Sequence, residues 1–174
     1  MAKTSNLREF QESILLRLKE ATEKSGAVST SRLGVMVGTK RVLINLTEVT
    51  EVLPVPPIQQ VPLTLPWFLG VANVRGNLYN ISDLSQFMGS LPTPKSSDNR
   101  IVLINSDITG QVAILINRLV GLRSVETMKH KAKAKNKETF FSKNSYEDVD
   151  KNEWLELDVN ALMQDKNFIQ PTIS

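Results

Sequence analysis

The chain contains no cysteine and a single histidine, His130. Without cysteine there can be no disulfide, no thiolate metal site and no cysteine nucleophile. One histidine cannot supply a zinc centre built from several imidazoles, and a nucleophilic triad would depend on His130 alone as its base. Lysines surround His130 and no nucleophile or orienting acid stands near it in the sequence, so we interpret it as a solvated histidine.

Long apolar runs are also missing. No segment reaches the roughly 20 apolar residues that a membrane-spanning helix needs, and the first residues, MAKTSNLREFQ, lack the apolar core of a signal peptide. We therefore expect a cytoplasmic protein without direct membrane insertion, and the lack of cysteine agrees with a reducing compartment.

Neither sign of charge is in large excess, because the net charge is only +3. The local exception is 129–137, KHKAKAKNK, which holds five lysines. These lysines alternate with Ala and Asn, whereas a platform for single-stranded nucleic acid interleaves aromatic residues. Binding of nucleic acid through 129–137 is kept as the alternative hypothesis, and a solvated loop over 126–144 is the simpler expectation.

Enzymatic motifs are scarce. Residues 70–76, GVANVRG, fit neither the P-loop nor the dinucleotide-binding pattern. The carboxylate pair Glu147/Asp148 lies in a polar stretch with no apolar pocket to raise a pKa, so a hydrolase built on it is weakly indicated. The sequence predicts a protein that is not an enzyme and that has no cofactor and no metal.

The pattern of apolar residues predicts one helix followed by many short strands. Residues 1–27 are assigned to an N-terminal amphipathic helix, whose apolar face repeats at helical spacing over 5–24. Beyond it, three pairs of β-rich runs flank short turns at 38–40, 75–77 and 107–110 and predict hairpins. A late strand over 154–159 and a short helix over 159–164 that Asp158 could cap complete the pattern.

These elements predict a mainly β fold built from small barrels or a sandwich, with helices near both ends. Five prolines within 54–66 predict an extended loop or edge, because proline cannot donate to a strand ladder. A polar connection at 89–99 separates two strand-rich halves. The expected domain spans 28–170, with this connection between its two subdomains.

Arg75 ends an otherwise apolar stretch, 66–76, PWFLGVANVRG. A guanidinium inside the fold would need a paired carboxylate, and the sequence offers Glu51 or Glu48. Alternatively, Arg75 lies at a turn and faces a partner, since Gly76 permits a positive φ and a close backbone approach. Both roles remain open at this level.

The segment 49–89 resembles the CheW-like coupling domain. The resemblance rests on Glu51-Val52, Pro66, Gly70 to Gly76 with its NxRG motif, Asp83-Leu84 and Gly89, and it extends less clearly over 30–165. It implies two small SH3-like five-stranded β-barrels, each with a core of its own and with a shared core between them. It also implies a non-catalytic adaptor between the cytoplasmic tip of a methyl-accepting chemoreceptor and the regulatory CheW-like domain of a CheA-like histidine kinase.

The resemblance further implies that Glu51 and Arg75 form an internal ion pair, and that Asn73, Val74, Arg75 and Gly76 border the partner-facing surface. Trp67-Phe68 and Asn77, with the N-terminal helix, are most similar to the family branch that serves type IV pili and twitching motility. Asn117 departs from the family, which often has Asp there, so any contact made by that carboxylate is in doubt.

Overall fold

The computed structural model describes residues 30–131 and 141–173, and these residues are mainly β. The predicted N-terminal helix over 1–27 lies outside the described residues, as do residues 132–140, which include the rest of the basic segment 129–137. Within the part of the chain that is described, no helix is both long enough and apolar enough to cross a membrane.

Six strands form the first sheet, in the order β8-β1-β2-β11-β10-β9. Neighbours are antiparallel except for β2 and β11, which are parallel. The strands are β1 (Ser31–Val37), β2 (Lys40–Asn45), β8 (Arg118–Ser124), β9 (Lys129–Lys131), β10 (Ser142–Glu147) and β11 (Glu153–Leu157).

Five strands form the second sheet, in the order β3-β6-β7-β5-β4, with β5 and β7 parallel and the other pairs antiparallel. The strands are β3 (Val49–Pro54), β4 (Phe68–Val74), β5 (Asn77–Asp83), β6 (Arg100–Ile104) and β7 (Val112–Ile116). Three short α-helices, α1 (Leu84–Phe87), α2 (Val159–Gln164) and α3 (Lys166–Ile169), and two 3-10 turns, Leu46–Glu48 and Val125–Thr127, complete the described elements.

The predicted hairpins are confirmed as β1–β2, β4–β5 and β6–β7. The predicted cap is confirmed as well, since Asp158 accepts a hydrogen bond from the backbone N–H of Ala161 at the start of α2. An aspartate at this position satisfies a backbone donor that the first helical turn leaves unpaired.

The connection at 89–99 does not separate two barrels. It joins α1 to β6, and the strands on either side of it, β5 and β6, belong to the same second sheet. The chain instead changes sheets twice, between β2 and β3 and between β7 and β8. The halves suggested by composition are therefore not the two sheets, because β8 to β11 return to pair with β1 and β2.

The basic segment also differs from the expected loop. Lys129–Lys131 pair with β10 as an outer sixth strand of the first sheet, where the family resemblance implies five strands. The Nζ of Lys131 forms an ion pair with the Glu147 carboxylate on β10. This strand carries no alternation of apolar residues, so cross-strand pairing rather than burial accounts for its position.

Alternating residues of both sheets meet in a shared core. Leu33, Val35 and Ile44 of the first sheet and Val102 and Ile114 of the second belong to one buried cluster. Successive side chains of a strand point to opposite faces, so the remaining faces are buried separately. Each fully buried Leu or Ile stabilises the fold by about 1.5–3 kcal/mol relative to an exposed one.

The two remaining faces differ in polarity. The second sheet buries a small apolar cluster that includes Ala72, Val74, Ile81 and Leu103. On the first sheet, Leu43 and Trp154 alternate with residues of the shared core and are buried on the opposite face, as is Glu156, which pairs with Arg32 at 2.8 Å. The fold thus has three buried regions, and the one inside the first sheet contains an ion pair.

Candidate docking site

A tight turn between β4 and β5 carries Arg75. Val74 pairs with Asn77 in the hairpin, which leaves Arg75 and Gly76 as a two-residue loop. Their φ angles are 51° and 84°. Positive φ at both central positions is the signature of a type I′ turn, whose twist matches that of the flanking strands. Gly76 accepts this conformation freely, whereas Arg75 is held in it by the register of the hairpin.

Neighbouring side chains fix the turn from both sides. The Asn73 side-chain oxygen accepts a hydrogen bond of 2.9 Å from the backbone N–H of Gly76. Val74 is buried in the core of the second sheet and anchors the end of β4. These contacts hold the residues of the NxRG motif in one shape, with Asn73, Arg75 and Gly76 exposed.

Arg75 and Glu51 form a bidentate ion pair. Both guanidinium N–H groups, Nη1 and Nη2, donate to the Glu51 carboxylate oxygens at 2.6 Å. The side chain of Arg75 is 70% exposed and that of Glu51 is 29% exposed. The pair is therefore on the surface and not inside the fold, although it spans the turn after β4 and the opposite outer strand, β3.

Glu48, the other carboxylate that the sequence offered to Arg75, lies elsewhere. It ends the 3-10 turn Leu46–Glu48 that leads from the first sheet into the second, and its side chain is 10% exposed. Its Oε1 is 3.7 Å from the Nζ of Lys143, and its buried Oε2 has no hydrogen-bond partner. Burial is the main cause that raises the pKa of Glu48, and the ammonium of Lys143 offsets this in part.

Leu78 is a surface residue that the sequence interpretation missed. It is 61% exposed and stands opposite Asn73 in the β4–β5 ladder. Tyr79 packs against the core of the second sheet and Ile81 belongs to it. Because alternate residues of a strand face opposite sides, Leu78 points away from this core. That alternation was the signal that could have identified an exposed apolar side chain on the hairpin that carries Arg75.

Asn117 keeps one contact in spite of lacking the family's carboxylate. Its side-chain Oδ1 accepts a hydrogen bond of 2.7 Å from the backbone N–H of Gly38, in the β1–β2 turn. An amide oxygen accepts this bond as a carboxylate oxygen would. The departure therefore changes the charge at this position and leaves an acceptor in place.

The weak catalytic candidates serve the structure. His130 Nε2 lies 3.1 Å from the Asn144 side-chain oxygen, and Asn144 donates to the buried Glu156. The Asp148 carboxylate accepts bonds from the backbone N–H groups of Asp150 and Asn152 and from the Trp154 indole. These donors, with the indole first, lower the pKa of Asp148 to about 2, which is opposite to the shift that a general acid needs.

Potential metal ligands are not grouped together in the described part of the chain. Among residues 30–131 and 141–173, no group of three or more histidine, aspartate or glutamate side chains is arranged to hold a metal ion. The described basic residues at 129–131 include one lysine that is already paired with a carboxylate. The pairing of this lysine adds no support to the nucleic-acid alternative.

Comparison with known proteins gives the site a context. Residues 32–167 match the model of the CheW-like domain. Over 82 residues the chain is 34% identical to the protein PilI of Pseudomonas aeruginosa, which covers 47% of this chain and 46% of PilI. It is 26% identical over 82 residues to the chemotaxis protein CheV3 of Helicobacter pylori, with 47% of this chain and 26% of CheV3 covered. The matched region thus spans less than half the length of either relative.

A solved structure shares the fold. The scaffolding protein TtCheW from Thermoanaerobacter tengcongensis superposes with a TM-score of 0.63 at 19% sequence identity, covering 73% of this chain and 87% of that one. This likeness confirms the predicted architecture of two SH3-like barrels around a shared core. Since the family model matches most of the chain, including both sheets and the Asn73–Gly76 turn, the protein belongs to the CheW-like domain family.

Proposed function

We propose that this protein is a non-catalytic adaptor that couples a chemoreceptor to a CheA-like histidine kinase in a bacterial chemosensory system. The observation that carries the proposal is the β4–β5 turn. Its backbone is fixed by Asn73 and Val74, while Arg75 and Leu78 are both exposed on the same hairpin. A rigid surface with an arginine and an exposed apolar side chain is suited to recognition of another protein.

Coupling in such an adaptor requires differential binding. An adaptor shifts the populations of kinase states only when its contacts with those states differ in free energy. Since the hairpin is preorganised, we propose that the docking surface stays constant and that the kinase or receptor changes shape. The partners are the regulatory CheW-like domain of the kinase and the cytoplasmic tip of a methyl-accepting chemoreceptor.

The similarity to PilI supports a finer proposal, that the system controls type IV pilus twitching motility. The protein would then act in the cytoplasm at membrane-associated receptor arrays. We further propose that residues 28–170 act as one coupling domain and that Glu51, Asn73, Val74, Arg75 and Gly76 shape its partner-facing surface.

Calorimetric titration with the regulatory domain of a CheA-like kinase from the same organism tests the adaptor role. Transient signalling interfaces often bury less than about 1,200 Å², so we expect micromolar affinity. Leu78→Ser should weaken binding without lowering the melting temperature, because its side chain is exposed. The matched control is Leu91→Ser, which alters another exposed leucine. If wild type and Leu78→Ser bind equally well, the hairpin is not part of the docking surface. If no heat of binding is measured at high concentration, the kinase is not a partner.

A further inference from the structure

A groove of about 740 Å³ lies on the second sheet, between the proline-rich segment and the 92–99 segment. Its apolar lining includes Val55, Pro56, Ile58, Leu69 and Leu115. No residue from 73–78 lines it, so it is separate from the docking hairpin. Its volume is within the range of about 300–1,000 Å³ that is typical of ligand sites.

One wall of the groove is fixed against β4. Gln59 and Val71 exchange two backbone hydrogen bonds, of 2.8 and 2.9 Å. Gly70 makes this approach possible, because a Cβ there would lie 2.0 Å from the backbone oxygen of Gln59 and the φ of Gly70 is +133°. The segment therefore covers the edge of β4 at this point and prevents a ligand from adding there as a further strand.

The other wall is fixed by a buried carboxylate and an amide. Asp83, which is 1% exposed, accepts bonds from the Thr93 backbone N–H at 2.7 Å and the Thr93 hydroxyl at 2.8 Å. The Asn99 side-chain N–H donates to the backbone oxygen of Pro94 at 2.9 Å. Because both walls are held in place before a ligand arrives, binding carries little cost for ordering them.

The polar groups around the groove select the ligand. The Asp83 carboxylate is engaged within the protein, while Lys95 is exposed and has no ion pair among the described residues. Of the two charged side chains that line the groove, Asp83 is buried and Lys95 is exposed, so the ammonium of Lys95 is the charge that a ligand can reach. Asn99, 8% exposed, lines the groove, and its buried Oδ1 is an acceptor without a donor, which is costly unless a bound group supplies one.

We propose that this groove binds an extended peptide segment of a partner protein, with an apolar side chain on Leu69 and Leu115 and an acidic side chain at Lys95. The peptide backbone supplies the N–H donor that Asn99 lacks, after a small movement of the amide. The proposal goes beyond the adaptor role, since it defines a second contact surface. Loss of peptide binding and loss of kinase binding at the hairpin are separate outcomes.

The test uses the full chain and a fluorescein-labelled peptide of sequence Gly-Leu-Phe-Glu-Gly-Ser, titrated by fluorescence anisotropy. A second peptide with Lys in place of Glu is the matched probe. We expect saturable binding of the acidic peptide and at least about tenfold weaker binding of the basic one, because attraction is replaced by repulsion at Lys95. Equal binding of both peptides, or no saturation at millimolar concentration, would overturn the proposal.

Variants locate the binding surface. Lys95→Glu should weaken the acidic peptide about tenfold and strengthen the basic one, whereas Lys166→Glu, the same charge change on α3, should alter neither. Val55→Ser removes an apolar contact from a partly exposed position and should weaken both peptides without a change in melting temperature. If Lys95→Glu and Lys166→Glu have the same effect, the charge acts at long range and the groove is not the site.

Discussion

Arg75 and Glu51 connect the turn after one outer strand of the second sheet to the outer strand on its other side. Two hydrogen bonds of 2.6 Å form this link, although nearly three quarters of the Arg75 side chain is exposed to solvent. A pair in this position combines a structural contact with access for a partner. The sequence left open whether Arg75 is paired with a carboxylate or faces outward, and in the structure Arg75 is both paired and exposed.

Removal of this ion pair should cost little stability. We expect Arg75→Ala, Glu51→Gln and the double variant to give a coupling free energy of about 0.2–1 kcal/mol, because solvent screens an exposed pair. Denaturant unfolding of the three variants and the wild type measures it. A coupling of 3 kcal/mol or more, as for a buried pair, would contradict the surface geometry.

Replacement of Arg75 by glycine should be better tolerated than replacement by alanine. Both changes remove the ion pair, but glycine adopts a φ of 51° without the steric cost that a Cβ imposes. The left-handed conformation costs a residue with a Cβ about 1 kcal/mol or more, so Arg75→Gly should exceed Arg75→Ala in stability by about that amount. Thermal unfolding compares them directly, and equal melting temperatures would indicate that the turn relaxes in the alanine variant.

Glu48 should make stability depend on pH. Its pKa is raised in the folded protein, so its contribution favours folding below its ordinary pKa of 4.5 and is lost as pH rises through the higher folded value. Glu48→Gln should therefore stabilise the protein at neutral pH, by about 1 kcal/mol if the orphan oxygen carries most of the penalty. Unfolding of both proteins between pH 4 and pH 8 is the measurement. A variant that is less stable at every pH would show that the Lys143 pair outweighs burial.

Asp148 should act in the opposite direction and at lower pH. Hydrogen bonds from Trp154 and the turn lower its pKa from 3.8 to about 2. Its contribution is present above 3.8 and disappears as pH falls through about 2. Asp148→Asn should thus be less stable than wild type at neutral pH, with a difference that shrinks in acid. Indole fluorescence of Trp67 and Trp154 follows the unfolding of both proteins, and a difference independent of pH would assign the effect to packing.

Local signals account for the parts of the fold that the sequence predicts. The three hairpins follow from short turns between apolar runs, and the cap at Asp158 follows from a side chain able to bond Ala161. Strand β9 was not predicted, because Lys129–Lys131 has no apolar face and its partner is chosen by long-range pairing. The same limit hid the parallel pairing of β2 with β11 and led to the wrong position for the boundary at 89–99.

The sequence predicts which residues form the candidate site, but it does not predict how exposed they are. The sequence narrowed the partner of Arg75 to Glu51 or Glu48, but only the sheet order decides which carboxylate lies across from the turn. The groove could not be predicted at all, because its two walls come from distant segments. It depends on Gly70 for one wall and on Asp83 for the other, and neither role is visible in a linear pattern.

The order of strands has a consequence for synthesis of the protein. All five strands of the second sheet are consecutive in the chain, whereas β1 and β2 must wait for β8 to β11 before the first sheet is complete. During translation the second sheet can therefore close first, and the apolar side chains of β1 and β2 remain without their final partners until the last third of the chain emerges. Pairing over such separations is slow and leaves apolar surface open to aggregation. Variants that weaken β11 should thus reduce soluble yield more than their equilibrium stability suggests.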